Sequence, residues 1–150
     1  MDLEHEFTYT ARLAPAVPVG AGPYGNRRIR EVLGGEVTGA RISGKVGTGG
    51  ADWVLVGPDG WGRIDVRLTI HTDDGAHIYV QYTGVIEYTA AAHAANAGER
   101  SSDYGEHYFR TAPRLETGDE RYAWVTRTLF VGEGRLHPGP IVEYRVSRVT

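Results

Sequence analysis

Hydrophobic and polar residues alternate along most of this chain with a period of two. Over residues 63–71, Ile64, Val66, Leu68 and Ile70 fall on one face, and Asp65, Arg67, Thr69 and His71 fall on the other. Side chains on a strand point alternately to its two faces, so this spacing predicts a strand and not a helix. The same signal predicts strands over 6–13, 35–46, 52–56, 77–88, 107–111, 122–131 and 140–149. Between them lie turn sequences such as Pro58-Asp59-Gly60 and Asp73-Asp74-Gly75. In these, Pro presets φ, Asp bonds its own backbone and Gly tolerates positive φ. The second turn joins two β-branched runs and predicts a hairpin. Only residues 89–103 have helical composition, without an apolar stripe, which predicts a short helical surface insertion. No repeat, low-complexity tail or linker interrupts the chain, so residues 1–150 are expected to form a single domain. About eight antiparallel strands with one short helical insertion imply an all-β barrel or a sandwich.

Period two shows that the two faces differ without saying which is inside. Over 77–83, His77, Tyr79, Gln81 and Thr83 alternate with Ile78, Val80 and Tyr82. Over 122–131, Ala123, Val125, Leu129 and Val131 share a face with Arg127. On one reading the polar faces are solvated and carry cross-strand pairs worth about 0.2–1 kcal/mol each. On the other they line the lumen of a barrel of about eight strands that holds one small ligand.

Composition removes several chemistries. A formal charge of −3 gives no electrostatic footprint for nucleic acid or an anionic membrane. Neither a long apolar run nor a basic-then-apolar amino terminus is present, so no span or signal peptide is expected. With no cysteine, disulfides, thiolate nucleophiles and sulfur-bound metals drop out, and a cytoplasmic location is expected. Lys45, the single lysine, stands in a glycine-rich stretch and is a poor Schiff-base candidate. The six histidines form no metal-binding spacing, although His71 and His77 flank the hairpin turn, so neither metal nor cofactor is expected. Ser43, Ser101, Ser102 and Ser147 lie outside any nucleophile elbow. Gly47-Thr48-Gly49-Gly50 lacks the Lys-Ser/Thr of a phosphate loop and reads as a turn.

Six segments carry a resemblance: GG (34–35), GGADW (49–53), PDG (58–60), DVRLTIHTDDGAHIYV (65–80), YFRTAPRLETGDERYAWVTRTLFVG (108–132) and VEYRV (142–146). In order and over nearly the whole chain, they resemble the small bacterial and fungal family known as domain of unknown function 3237. The resemblance implies a calycin-like antiparallel β-barrel, frequently a dimer or higher homo-oligomer. It implies almost no chemistry, because the family lacks an assigned activity. It favours the lumenal reading of the polar faces.

On that reading Asp65, Asp52 and Arg127 are the candidate catalytic residues. Trp53, Arg67, Thr69, Tyr79, Glu116 and Trp124 are the candidate ligand-binding residues. Asp65 serves as a general base beside Arg67, or the two form a structural ion pair. Arg127, on an otherwise aliphatic face, needs Glu116, Asp52, Asp65 or an anionic ligand as its partner. Trp61, between two glycines, is expected at a cavity mouth or an interface. Tyr79, Tyr82, Tyr108 and Tyr122 either donate hydrogen bonds to a ligand or cover a barrel end. The expected function is small-molecule binding. The alternative is a cofactor-independent cyclase, isomerase or lyase acting on a carbonyl-containing, aromatic or polyketide-like metabolite. A third possibility is an oligomer whose lumen is simply filled.

Overall fold

A computed structural model describes residues 1–150. Ten strands run antiparallel to their neighbours: β1 (Leu3–Leu13), β2 (Val17–Gly22), β3 (Gly25–Gly39), β4 (Gly44–Val46), β5 (Ala51–Val56), β6 (Trp61–Thr72), β7 (His77–Glu87), β8 (Phe109–Glu116), β9 (Phe130–His137) and β10 (Ile141–Val149). Eight of them close a barrel in the order β1, β10, β9, β8, β7, β6, β5, β3, and β3 returns to β1. The short β4 bridges β3 and β6 beyond the end of β5, and β2 hangs on β3 alone. Closure leaves the barrel without a free sheet edge, and β2 alone presents one.

The antiparallel barrel expected above is the fold observed, and the hairpin at 73–75 forms as expected. Thr72 N–H donates to Ala76 O at 2.9 Å, and Gly75 takes the positive φ the turn requires. The helical insertion contracts to α1 (Ala90–Asn96), capped by the Thr89 hydroxyl and buried only through Ala92 and Ala95.

One predicted strand is corrected. Residues 122–131 are not continuous strand: Glu120–Arg127 form a 3-10 helix, and β9 begins at Phe130. Asp119 caps that helix, accepting the Arg121 N–H at 3.0 Å. Its buried residues, Tyr122 and Val125, are three apart, the period of a 3-10 turn. The alternation that suggested a strand therefore has no structural counterpart. The segment predicted as one strand over 35–46 is the end of β3, a bend, and β4.

The decisive correction concerns the faces. Ile64, Val66, Leu68 and Ile70 point into the barrel and are almost fully buried, opposite Gly84, Tyr82, Val80 and Ile78. Asp65, Arg67, Thr69 and His71 are on the outer wall. Burying each aliphatic side chain stabilises by about 1.5–3 kcal/mol, whereas burying an unpaired charge costs several. The aliphatic row therefore wins the interior. Phe7, Ile42, Ile70, Ile78, Leu115 and Val146 help to fill the lower half of the lumen.

Outside, arginine–carboxylate pairs lace the strands together. The most buried is Glu6, which accepts Arg41 Nε at 2.7 Å and Nη2 at 2.6 Å, with Arg148 Nε at 3.2 Å. Arg41 in turn lies 3.7 Å from the ring centre of Trp124. The cluster thus ties β1, the bend after β3, β10 and the 3-10 helix into one seam. Glu6→Gln keeps the shape but exchanges the charged fork for one neutral acceptor. It is expected to cost about 1–3 kcal/mol, lowering the melting temperature by roughly 3–10 °C. Thermal unfolding followed by circular dichroism checks this, and an unchanged midpoint would show that the seam is dispensable.

Candidate functional site

The upper half of the lumen is not filled. A cavity of about 50 Å³ lies there, walled by Ala11, Val54, Ile64, Val66, Ile86 and Val142 among others, and it reaches the surface beside Asn96, Pro140 and Ile141. At roughly 10–15 Å³ per water it has room for about three or four waters. A longer molecule would extend through the mouth.

Polar groups enter this apolar space from two sources. The first is the pairing of β3 with β5, where Arg28 stands opposite Val54 and Arg30 opposite Asp52. All four side chains line the cavity. Asp52 is held at a gap between β5 and β6, because the register runs from Asp52–Val66 directly to Leu55–Arg63. In that gap the Asp65 N–H donates to Asp52 Oδ1 at 3.4 Å. Burial pushes the Asp52 carboxyl up to about 7, while the Asp65 N–H and the Arg30 charge pull it back and the Asp65 carboxylate pushes it further. At neutral pH Asp52 exists in both protonation states.

The second source is a layer of tyrosines beneath the cavity. Tyr9, Tyr82 and Tyr144 are almost fully buried, with ring centres 5.2 Å apart for Tyr9–Tyr144 and 5.5 Å for Tyr82–Tyr144. Phe109 meets Tyr144 edge-on at 5.1 Å. Burial raises all three phenols well above their ordinary range, so they stay neutral and remain hydrogen-bond donors. Tyr88, also raised by burial, closes one side, with the Arg28 guanidinium 5.5 Å from its ring centre.

Of the candidate catalytic and ligand-binding residues named from sequence, only Asp52 reaches this cavity; of the tyrosines considered as ligand donors, Tyr82 lines it as well. Asp65 lies outside, in a groove with Arg27, Arg63 and Arg110. Trp53, Arg67, Thr69 and Tyr79 do come together, but in an open depression on the outer wall beside residues 48–50. Glu116 is exposed at the end of β8, opposite Tyr79. Trp124 lies in the 3-10 helix under Arg41. Arg127 ends that helix and is exposed to solvent, so the buried partner expected for it is not needed. His71 and His77 approach to 4.6 Å between ring centres, and no third ligand joins them to hold a metal.

Sequence reasoning missed Arg28 and Arg30. The stretch from Pro15 to Arg30 contains three prolines and three glycines and reads as loop, and a run of arginines reads as a solvated face. The available signal was the alternation of Arg28, Arg30 and Val32 against Arg27, Ile29 and Glu31.

A second polar chain lies on the outer wall. Ser101 Oγ is 2.7 Å from His137 Nδ1, and His137 Nε2 is 2.7 Å from Glu143 Oε2. Glu143 also accepts from Tyr104 and Arg135. The neighbouring Ser102 exchanges hydrogen bonds with the Leu136 backbone. This chain fastens the segment after α1 to β9 and β10. None of its polar side chains lines the lumenal cavity.

These features define a closed antiparallel barrel, filled at one end and open to a polar-rimmed cavity at the other. The chain belongs to the family described as "Protein of unknown function (DUF3237)", whose model matches residues 1–149. A UPF0311 protein of Rhodopseudomonas palustris is 36% identical over 143 residues, covering 95% of this chain and 93% of the relative. The crystal structure of a conserved protein of unknown function from the same species superposes with a TM-score of 0.89 at 37% identity, covering 100% and 99% of the two chains. An enzyme from Penicillium herquei shares the fold, with a TM-score of 0.71 at 21% identity and coverage of 99% and 94%.

Proposed function

We propose that this protein binds a small organic molecule in the open half of its barrel and exchanges a proton with it through Asp52. The observation that carries this reading is a carboxyl group, titrating near 7, on the wall of an otherwise aliphatic cavity. A cavity with a few convergent polar groups and a perturbed carboxyl is the ordinary form of a ligand site. A barrel needing only stability gains nothing from a buried carboxyl.

Ala11 supports a direct test, because its small side chain lines the cavity from β1. Ala11→Phe adds bulk to the cavity wall and removes none of its polar groups. In a ligand-observed NMR screen of small carbonyl compounds, the native protein is expected to give hits that disappear with Ala11→Phe. The same hits should survive Thr69→Ala on the outer wall. Hits that persist with Ala11→Phe would place binding elsewhere and refute the proposal.

A second reading, acid–base catalysis without a cofactor, is favoured by one further observation. Neutral phenols from Tyr82 and Tyr144 face the same cavity as a carboxyl poised near 7. A general base works best when its pKa lies close to the working pH, and phenolic donors stabilise a developing enolate oxygen. Cyclisation, isomerisation or elimination on a carbonyl compound needs no more than this. Under this reading Asp52→Asn keeps affinity for a substrate and loses turnover.

A further inference from the structure

We propose that the molecule held in the lumen is a small organic carboxylate, its acid group taken by Arg28 and Arg30 and its apolar body lying on the aliphatic wall. This rests on the lumenal-binding reading above.

The argument begins with where the arginines of the chain find partners. On the outer wall, Arg41, Arg63, Arg100, Arg110, Arg121, Arg135, Arg145 and Arg148 each meet a carboxylate, Arg27 and Arg114 donate to protein oxygens, and Arg12, Arg67 and Arg127 are exposed to solvent. Arg28 and Arg30 meet no carboxylate. They are partly buried, two residues apart on one face of β3, and both line the cavity. Arg28 Nε is buried with no hydrogen-bond partner at all, and its guanidinium lies over the Tyr88 ring. Arg30 has one long hydrogen bond, Nη1 to Ala14 O at 3.5 Å. Asp52, opposite Arg30 in the register, forms no ion pair with either arginine.

Two cations facing an apolar cavity with unused donors are costly unless an anion completes them. Arginine forks match the two coplanar oxygens of a carboxylate. A dianionic phosphate fits less well, because Asp52 stands beside the same two cations and repels a second negative charge. The remaining wall, formed by Ala11, Val54, Ile64, Val66, Ile86 and Val142, selects an apolar body. The mouth beside Ile141 leaves room for that body to extend.

The test compares acids with their uncharged isosteres on the intact protein. Benzoate and hexanoate, with benzamide and hexanamide as neutral partners, are titrated and followed by NMR chemical shifts. The acids are expected to bind about tenfold or more tighter than the amides. Arg28→Gln and Arg30→Gln should each reduce acid affinity to that of the amide, with circular dichroism reporting that the variants are folded. Should either variant fail to fold, the acid–amide difference in the native protein decides alone. Amides that bind as well as acids, with both lost in Ala11→Phe, would overturn the carboxylate assignment and leave lumenal binding standing. If neither acids nor amides bind the native protein, the carboxylate assignment falls. The broader reading falls with it only when the wider carbonyl screen also gives no hit that depends on Ala11.

Discussion

Gly35→Ala is expected to destabilise the barrel by about 3 kcal/mol or more, at or above the top of the usual range for overpacking. An added Cβ at this position would lie 1.8 Å from the Thr10 carbonyl oxygen and 2.7 Å from its carbon. Both contacts are with backbone, so no side chain can rotate aside. Nor can β1 retreat, because β10 holds it from the other side through Thr10–Glu143 and Ala11–Val142. Meanwhile β3 is fixed at Gly35 by its pairing with Val46 of β4. The clash therefore falls on the β1–β3 seam, the junction that closes the ring. For a chain of this size the expected fall in melting temperature is roughly 6–12 °C. Gly22→Ala is the control: nothing lies within 4 Å of its added Cβ, and its effect should stay within about 0.5 kcal/mol. Urea unfolding of the two variants separates steric closure from the general entropy of replacing glycine. Equal midpoints would mean that the seam tolerates more separation than the geometry allows.

Gly35 also illustrates what was legible in the sequence. The Gly34-Gly35 pair is one of the segments that carry the family resemblance, and in the barrel Gly35 marks a close approach of two backbones. Strand existence was legible wherever alternation was strict, as over 63–71 and 77–88, and so was the hairpin at Asp73-Asp74-Gly75. Interior and exterior were not, because a two-residue period is symmetric: Asp65, Arg67 and Thr69 alternate just as regularly as the aliphatic residues between them. What broke the symmetry is burial energy, which favours Ile64, Val66, Leu68 and Ile70 inside. Resemblance to a barrel family pointed the polar face inward and was misleading on that point. Asp52 was found because it opens a strand after Gly49-Gly50. Arg28 and Arg30 were not, because β3 is fifteen residues long and its first half reads as loop. The 3-10 helix at 120–127 was missed for the opposite reason, since local alternation there competes with a cap at Asp119 that only the backbone reveals.

Asp52→Asn is expected to stabilise the protein at alkaline pH while removing the titrating carboxyl. The carboxyl titrates near 7 in the folded chain and near 3.8 when unfolded, so the folded state binds more protons between those values. Stability from this group is therefore full below about pH 4, falls as pH rises from about 4 to 7, and stays low above. A shift of about three units corresponds to at most roughly 4 kcal/mol. Because the side chain is partly open to the cavity mouth, about 2–4 kcal/mol is the expected gain for the asparagine variant at pH 8. At pH 4 the gain should shrink toward zero. The wild-type profile alone does not isolate the effect, because burial lowers the His107 pKa, which makes stability rise with pH in an overlapping window. The difference between variant and wild type cancels that term. Arg28 and Arg30 from β3, Asp65 from β6, and Tyr9, Tyr82, Tyr88 and Tyr144 around the cavity are common to both proteins. Urea unfolding at unit pH steps from 4 to 8 measures the difference directly. A flat difference would mean that Asp52 is hydrated like any surface carboxylate, and the case for a poised proton in the lumen would go with it. A rising difference would identify the residue as one kept at a cost in stability, the usual mark of a group retained for function.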